Sequence, residues 1–331
     1  MTTSGSKTWA LRPVLALLVT GALLLQSCTD LQEDPFSSIT PSNFYKTDEE
    51  VRAGLAAVYN QLNAASTGNY HYHNTISSDE QVIPVRGQDW FDNGTHLEAQ
   101  RHTWQAGSPA GLGSINSIWT TAFIGVARAN VLLESIEGAP VANKPRTIAE
   151  ARLLRAYFYY QLMDMFGGVP ITTSTSVEPR ARATRAETFA FIEKELTEAK
   201  NDIPASWPST DYGRVTKGAA DAILASMYLN AEVWTGTVTE AGLQKGPAQW
   251  QKAIDAADRV RAGPYSMAAD QAANFRADNN TSPEMVFVSA RRPEAGVSFN
   301  FISNNIHYNQ FSPAPNNGRA GRTKRFLREL P

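Results

Sequence analysis

The segment from Tyr70 to Trp104 concentrates side chains whose types could bind a sugar. A sugar ring presents an apolar C–H face and a rim of hydroxyl groups. An aromatic ring packs against the first, and carboxylate, amide and guanidinium groups hydrogen-bond to the second. The side chains with this chemistry are Tyr70, His71, Tyr72, His73, Asp79, Glu80, Arg86, Asp89, Trp90, Phe91, Asp92, Asn93 and Trp104.

Within that segment, Trp90 offers the clearest platform for a sugar ring. Asp89 and Asn93 supply hydrogen-bonding groups in the same glycine-bounded loop, and Tyr72 adds a second ring. We predict these four residues as ligand contacts. The alternative is that Trp90 and Trp104 pack onto a helical core. A later loop carries Trp207 and Tyr212, which could extend the same face.

The histidines of this segment raise a metal hypothesis. His71, His73, His96 and His102, with Asp79, have the right donor types for zinc. Their spacing matches no HExxH or related motif, and two histidines at i and i+2 are common on polar surfaces. We therefore expect no metal site and no cofactor.

A glycosidase would need a pair of carboxylic acids across a cleft, and Asp89, Asp92 and Glu98 are the candidates. Nothing around them predicts the strand-end framework that would position such a pair. The motifs G-x-S-x-G, G-x-x-x-x-G-K and G-x-G-x-x-G are also absent from the sequence. We expect a binding protein and not an enzyme.

The N-terminus predicts a lipid anchor. Lys7 and Arg12 precede an apolar run of roughly twelve residues, which is too short to span a bilayer. Leu25-Gln26-Ser27-Cys28 then resembles a lipobox, and Cys28 is the only cysteine in the sequence. We predict a signal peptide at 1–27, lipidation of Cys28 and an acidic tether at 28–40. The alternative is an ordinary signal peptide with a chance cysteine.

Composition describes an ordinary globular chain. The 331 residues are 42% hydrophobic and 19% charged, with a formal net charge of -2. That charge gives no electrostatic basis for binding nucleic acid, which requires a basic face.

Beyond the tether, apolar residues recur at helical spacing, with little sign of strands. An all-α fold of degenerate tetratricopeptide-like repeats with long aromatic loops is the prediction. The first expected helix begins at Asp48, and five more are expected at 115–136, 147–166, 186–202, 217–234 and 248–262. Short strands are expected at 81–85 and 285–288.

Small residues one turn before a tyrosine support the repeats, because paired helices of this kind cross at small side chains. Ala156 with Tyr159, and Ala225 with Tyr228, fit that template. Their second helices supply Ile192, Leu196, Ala199 and Pro204, and Ala253, Ala257, Val260 and Pro264.

Several phrases in this order resemble the SusD/RagB family of outer-membrane lipoproteins. They are the lipobox, Pro35-Phe36, Phe44-Tyr45, Ser78-Asp79-Glu80-Gln81-Val82-Ile83-Pro84, Arg86-Gly87-Gln88-Asp89-Trp90, Arg101-His102-Thr103-Trp104, the helix ending in Phe166-Gly167-Gly168-Val169-Pro170, and Ser282-Pro283-Glu284-Met285-Val286-Phe287. The resemblance implies a surface-exposed lipoprotein of the outer membrane that binds oligosaccharides. It also implies delivery to a SusC-like TonB-dependent transporter, and ligand contacts from Asp79 and Arg86.

The C-terminal end departs from that family, whose members usually continue further. From Asn317 to Arg328 the sequence becomes abruptly basic. We expect a SusD-like helical domain at 41–318, an atypical basic tail at 319–331 and a truncated chain. The rival functional hypothesis is a protein-interaction scaffold of the cell envelope, whose repeat groove around Tyr159 and Tyr228 binds a peptide without binding sugar.

Overall fold

A computed structural model describes residues 44–78, 80–83, 91–139, 141–276, 278–291 and 325–326. The helices and strands belong to one compact unit that begins at Tyr45. The helices are α1 Asp48–Thr67, α2 Asn69–Ile76, α3 Thr95–Arg101, α4 Asn116–Ser135, α5 Lys144–Phe166, α6 Arg185–Ala199, α7 Lys217–Leu229, α8 Ala231–Trp234 and α9 Trp250–Arg261. The strands are β1 Gln81–Val82, β2 Thr237–Thr239, β3 Gly242–Gln244 and β4 Arg325–Phe326.

The fold is mostly α-helical, as predicted, because local signals in the sequence start and stop its helices. Thr47 accepts a hydrogen bond from the backbone of Glu50, and the Glu50 side chain accepts one from the backbone of Thr47. This capping box satisfies donors at the start of α1. A stop signal ends α5 after Phe166. The next residue, Gly167, has a φ of 73°, which favours a residue without a Cβ.

The main core forms where α4, α5 and α6 pack together with α1. Leu154, Phe158 and Leu162 of α5 are buried, as the spacing predicts. Met165 is only half-buried, whereas Met163 lies fully inside. Six aromatic residues are part of this cluster or pack against it: Trp119, Phe123, Tyr157, Tyr159, Tyr160 and Trp234.

Two antiparallel helix pairs, α5 with α6 and α7 with α9, form the tetratricopeptide-like repeats. Ala156 and Tyr159 are buried in the first pair. In the second pair, the prediction that Ala257 lies at the helix contact is wrong, because its side chain is exposed. Ala256 is buried there instead, together with Ala253.

Two local predictions were wrong in detail, and one hairpin was not predicted. The helix expected at 217–234 is interrupted at Asn230, which separates α7 from α8. The insertion that follows forms the hairpin β2–β3, in which Val238 lies opposite Leu243. Residues 285–288 form no strand, and Phe287 packs edge-on against Tyr157 with ring centroids 5.0 Å apart.

Of the strand expected at 81–85, Gln81 and Val82 form β1, which pairs antiparallel with β4, and residues 84–85 lie outside the described residues. The predicted signal peptide, Cys28 and the acidic tether lie outside the described residues. Within the described ranges, no helix is long and apolar enough to cross a membrane.

Candidate functional site

The candidate site is a cavity of about 420 Å³ where α2, α3 and a single π-helical turn at Gly111–Ile115 meet; we call it the α2–α3 cleft. It lies in the part of the sequence predicted to bind sugar. Its lining residues are Asn69, Tyr72, His73, Ile76, Asp92, Thr95, His96, Ala99, Gly113 and Ser114.

A small apolar cluster holds the walls of the cleft together. Ile76 from α2, Ile83 from the segment after β1 and Ala99 from α3 are buried against one another, and Tyr72 packs on them. Burial of these side chains fixes α3 relative to α2. The Tyr72 ring is therefore held by its neighbours at the edge of the cleft.

A left-handed turn leads into α3. Asp92, Asn93 and Gly94 have φ values of 41°, 57° and 85°. Asn, Asp and Gly are the residue types that tolerate this region best. The Thr95 hydroxyl donates a 2.8 Å hydrogen bond to the Asp92 carbonyl, which closes the turn.

This turn places an ion-pairing couple on the cleft wall. Oδ2 of Asp92 lies 2.9 Å from Nε2 of His96, one helical turn further along the chain. Both side chains line the cavity. A carboxylate held beside an imidazole offers both acceptor and donor groups to hydroxyls of a bound ligand.

The π-helical turn forms the opposite wall. A Cβ on Gly111 would lie 1.9 Å from the carbonyl oxygen of Gln105, so only glycine allows the chain to pass so closely. The backbone N–H of Ala110 donates a 2.9 Å hydrogen bond to Oε2 of Glu98, which joins this turn to α3. Single π-turns of this kind are frequent at functional sites.

His73 is the most deeply buried histidine of the cleft. Burial lowers the pKa of His73 below its usual value of 6.5, and the nearby His102 lowers it further. Its Nδ1 lies 3.4 Å from the hydroxyl oxygen of Ser114. Trp104 packs edge-on against the His73 ring with centroids 5.1 Å apart.

Trp104 also packs on His102, with ring centroids 5.5 Å apart, and 37% of its surface remains exposed. The Nε2–H of His102 donates a 2.6 Å hydrogen bond to the carbonyl of Ser77. Trp104 is absent from the residues that line the cleft. It contacts His73 outside the cleft, and it is not part of the buried core clusters.

The structure locates two of the six predicted ligand residues. Tyr72 lines the cleft, and Asn93 lies in the left-handed turn next to Asp92 without lining the cavity. The other four lie outside the described residues: Asp79, Arg86, Asp89 and Trp90.

Sequence reasoning assigned no ligand role to His73, His96 or Ser114, which share the cleft with Tyr72. The Asp92–His96 spacing of four residues was a usable signal, because such residues face each other once a helix forms. The position of Ser114 depends on tertiary packing and had no comparable signal.

The metal and glycosidase hypotheses rest on the histidine and acidic side chains of this segment. Over the ranges that the structure describes, no group of three histidine, cysteine or acidic side chains could hold a metal ion. Among the described residues that line the cleft, Asp92 is the one carboxylate, and Glu98 is engaged with the backbone of Ala110. The third candidate acid, Asp89, lies outside the described residues.

Comparison with known proteins identifies the class of this helical scaffold, the SusD-like proteins. The SusD-like family, described as "Starch-binding associating with outer membrane", matches residues 33–229. That match covers more than half of the chain, and the chain belongs to the SusD-like family.

Individual relatives and a solved structure support the same family assignment. The starch-binding protein SusD of Bacteroides thetaiotaomicron is 31% identical over 157 residues, which are 47% of this chain and 26% of that protein. A SusD-like protein of Formosa agariphila is 22% identical over 284 residues, 79% of this chain and 48% of the relative. The crystal structure of a SusD-like protein from Bacteroides fragilis superposes with a TM-score of 0.64 at 20% identity, covering 80% of this chain and 48% of that one. The chain thus spans about half or less of the length of these relatives.

Proposed function

We propose that this chain binds oligosaccharides at the α2–α3 cleft and has no catalytic step of its own. The observation that carries the proposal is the composition of the cleft in a chain of the SusD-like family. The Tyr72 side chain lines the cavity, and Asp92, His96 and Ser114 supply donors and acceptors around it. Rings and paired polar groups in a largely preformed cavity are what a sugar requires.

The cleft has room to continue past Tyr72. Asn69 and Tyr72 also line a neighbouring cavity of about 300 Å³ between α1, α4 and α5. Two cavities on either side of the same residues favour an extended ligand over a single sugar. Trp90, Asp89, Asn93, Asp79 and Arg86 remain our proposed additional contacts from the adjoining loop.

The role of the whole protein follows from the same proposal. Signal-peptide cleavage before Cys28 and lipidation of its thiol would anchor the chain at the outer-membrane surface. The anchored chain would then pass captured oligosaccharide to a SusC-like TonB-dependent transporter. Co-purification of a β-barrel transporter with tagged wild-type chain, and its loss with Cys28→Ser, would test anchoring and partnership together.

Peptide capture in the repeat groove is less well supported. Tyr159 is fully buried and its hydroxyl oxygen accepts a 2.8 Å hydrogen bond from the backbone of Thr172. Tyr228 is nearly buried and donates a 2.8 Å hydrogen bond to Glu193. Both tyrosines that were to line a peptide groove serve the internal packing of the helices.

A glycan array tests the binding proposal. The chain from Thr29 onward should retain a set of oligosaccharides, and Trp90→Ala should weaken that retention. Reducing-end assays on the retained glycans should show no new ends. Hydrolysis by purified protein would replace the proposal with a glycosidase, and an empty array with a folded chain would contradict sugar binding.

A further inference from the structure

A separate cavity of about 240 Å³ lies between α1, the turn at 209–214 and the segment 288–290; we call it the Tyr212 cavity. It shares no lining residue with the α2–α3 cleft. Its polar and aromatic lining consists of Tyr59, Asn60, Asn63, Tyr212, Arg214 and Ser289.

Close approach of two segments builds one side of this cavity. Gly213 has a φ of 94°, and a Cβ there would lie 2.7 Å from the Cβ of Ala290. The Ser289 hydroxyl donates a hydrogen bond to Oδ1 of Asn63 on α1. These contacts fix the 288–290 segment against both the turn and the helix.

The Arg214 guanidinium in the lining of the Tyr212 cavity is already engaged by two carboxylates. Arg214 donates a 3.0 Å hydrogen bond through Nε to Glu150, and a 2.9 Å hydrogen bond through Nη1 to Asp211. A guanidinium shared between two carboxylates carries no spare positive charge for an acidic ligand. The cavity is therefore suited to a neutral molecule that hydrogen-bonds.

Two side chains in this lining, Tyr212 and Asn60, have hydrogen-bonding groups that a ligand could use. Tyr212 keeps 39% of its surface exposed. Across the described ranges, its hydroxyl makes no hydrogen bond. The Oδ1 of Asn60 accepts a 3.3 Å hydrogen bond from Asn63, but its amide nitrogen donates to no described residue. An exposed ring beside free amide donors matches the apolar face and hydroxyl rim of a sugar.

The neighbouring Trp207 does not provide this platform. Its Nε1 donates a 2.7 Å hydrogen bond to the carbonyl of Val215. The guanidinium of Arg214 lies 3.7 Å from its ring centroid, and that of Arg146 lies 5.1 Å away. These cation–π contacts cover the Trp207 ring, so the ring is not available to stack on a sugar. The structure therefore separates the two aromatic residues that the sequence suggested together.

We propose that the Tyr212 cavity is a second carbohydrate-binding subsite for a neutral sugar. The sugar ring packs on Tyr212, and the Asn60 amide donates to its hydroxyls. This inference rests on the proposed function, because it extends oligosaccharide binding to a second place on the same chain. The two places lie on different residues, so they can be tested separately.

Alanine-methyl NMR of the full chain provides the test, because each cavity contains its own reporter. Ala99 lines the α2–α3 cleft, and Ala56 and Ala290 line the Tyr212 cavity. Maltoheptaose, laminariheptaose and a xyloglucan oligosaccharide are titrated one at a time. For at least one of them, we expect saturable shifts at Ala56 and Ala290 that persist in Tyr72→Leu.

The matching variants are Tyr212→Ala and Asn60→Ala, with Phe275→Ala as a control because this exposed residue lines neither cavity. Each cavity variant should raise the Kd reported by Ala56 and Ala290 by about three- to tenfold, as expected for the loss of one stacking or hydrogen-bonding partner. The Kd reported by Ala99 should stay unchanged.

Shifts confined to Ala99 would overturn this inference and leave the proposed function intact. Shifts at Ala56 and Ala290 that Tyr212→Ala and Asn60→Ala leave unaltered would also overturn it. If none of the three methyl groups responds in the folded chain, both the second subsite and the proposed function fail.

Discussion

The hydroxyl of Tyr59 in α1 donates a 2.6 Å hydrogen bond to Oε2 of Glu150 in α5, a side chain that is completely buried. The guanidinium of Arg214 binds both oxygens of the same carboxylate. The Tyr59 oxygen in turn accepts a 2.9 Å hydrogen bond from the backbone of Val215. One buried charge thus joins α1, α5 and the loop before α7.

Removing the cation from this group should destabilise the fold strongly. Arg214→Met leaves the Glu150 carboxylate buried without its ion-pair partner, which costs roughly 3–5 kcal/mol in comparable sites. Urea unfolding followed by circular dichroism measures the loss. Arg261→Met is the matched control, since Arg261 pairs with Asp258 at the surface and such pairs contribute about 0–1 kcal/mol. Equal losses in the two variants would contradict the buried-charge argument.

Helix boundaries in this chain could be predicted because their signals are local. The predicted helix start at Asp48 and the predicted end before Gly167 agree with the structure. The signals, the Thr47–Glu50 capping box and Gly167, lie within one helical turn of each boundary. The break at Asn230 was missed because the apolar pattern continues through it. The hairpin β2–β3 was missed because its strands are only three residues long.

The candidate site was less predictable than the scaffold. Aromatic and polar enrichment marked the right segment, and Tyr72 lies in the cleft. Ser114 joins it only because the chain folds back through the π-helical turn, a long-range contact without a local pattern. The histidines were recognised by type, but their spacing matched no metal motif, and the position of His96 beside Asp92 was not predicted.

The π-helical turn offers a sharp test of how the cleft wall is built. Gly111→Ala places a methyl group within 1.9 Å of the Gln105 carbonyl oxygen, so the turn must move. We expect a loss of about 1–3 kcal/mol in the free energy of unfolding, typical of overpacking. Gly113→Ala, two residues along, meets no atom within 4 Å and should change stability little. The same unfolding assay compares them, and a larger loss for Gly113→Ala would disprove the argument.

The buried imidazole of His73 should make stability fall on acidification. Its pKa in the folded chain is lowered from 6.5 by burial and by His102, so the unfolded chain binds more protons below that pH. Stability is therefore complete above pH 6.5 and decreases as the pH falls towards the folded-state pKa. His73→Gln removes this contribution.

Urea midpoints at pH 7.5 and pH 5 measure the effect in both proteins. The wild-type midpoint should fall more between these two pH values than that of His73→Gln. The difference between the proteins isolates His73 from the other titrating groups. A wild-type chain whose pH dependence equals that of the variant would show that His73 titrates normally.

Sugar binding at the α2–α3 cleft should depend on the Tyr72 ring and not on ionic strength. Tyr72→Leu keeps an apolar side chain against Ile76, Ile83 and Ala99 but removes the aromatic face. We expect its Kd for a retained oligosaccharide to rise about three- to tenfold, with the melting temperature nearly unchanged. Phe275→Leu is the matched substitution at a residue that is 81% exposed and absent from the cleft, and its Kd should stay at the wild-type value.

A neutral glycan should bind equally well in 50 mM and 500 mM NaCl, because screening weakens only interactions between charges. A Kd that rises steeply with salt would instead indicate a charged partner at this cleft.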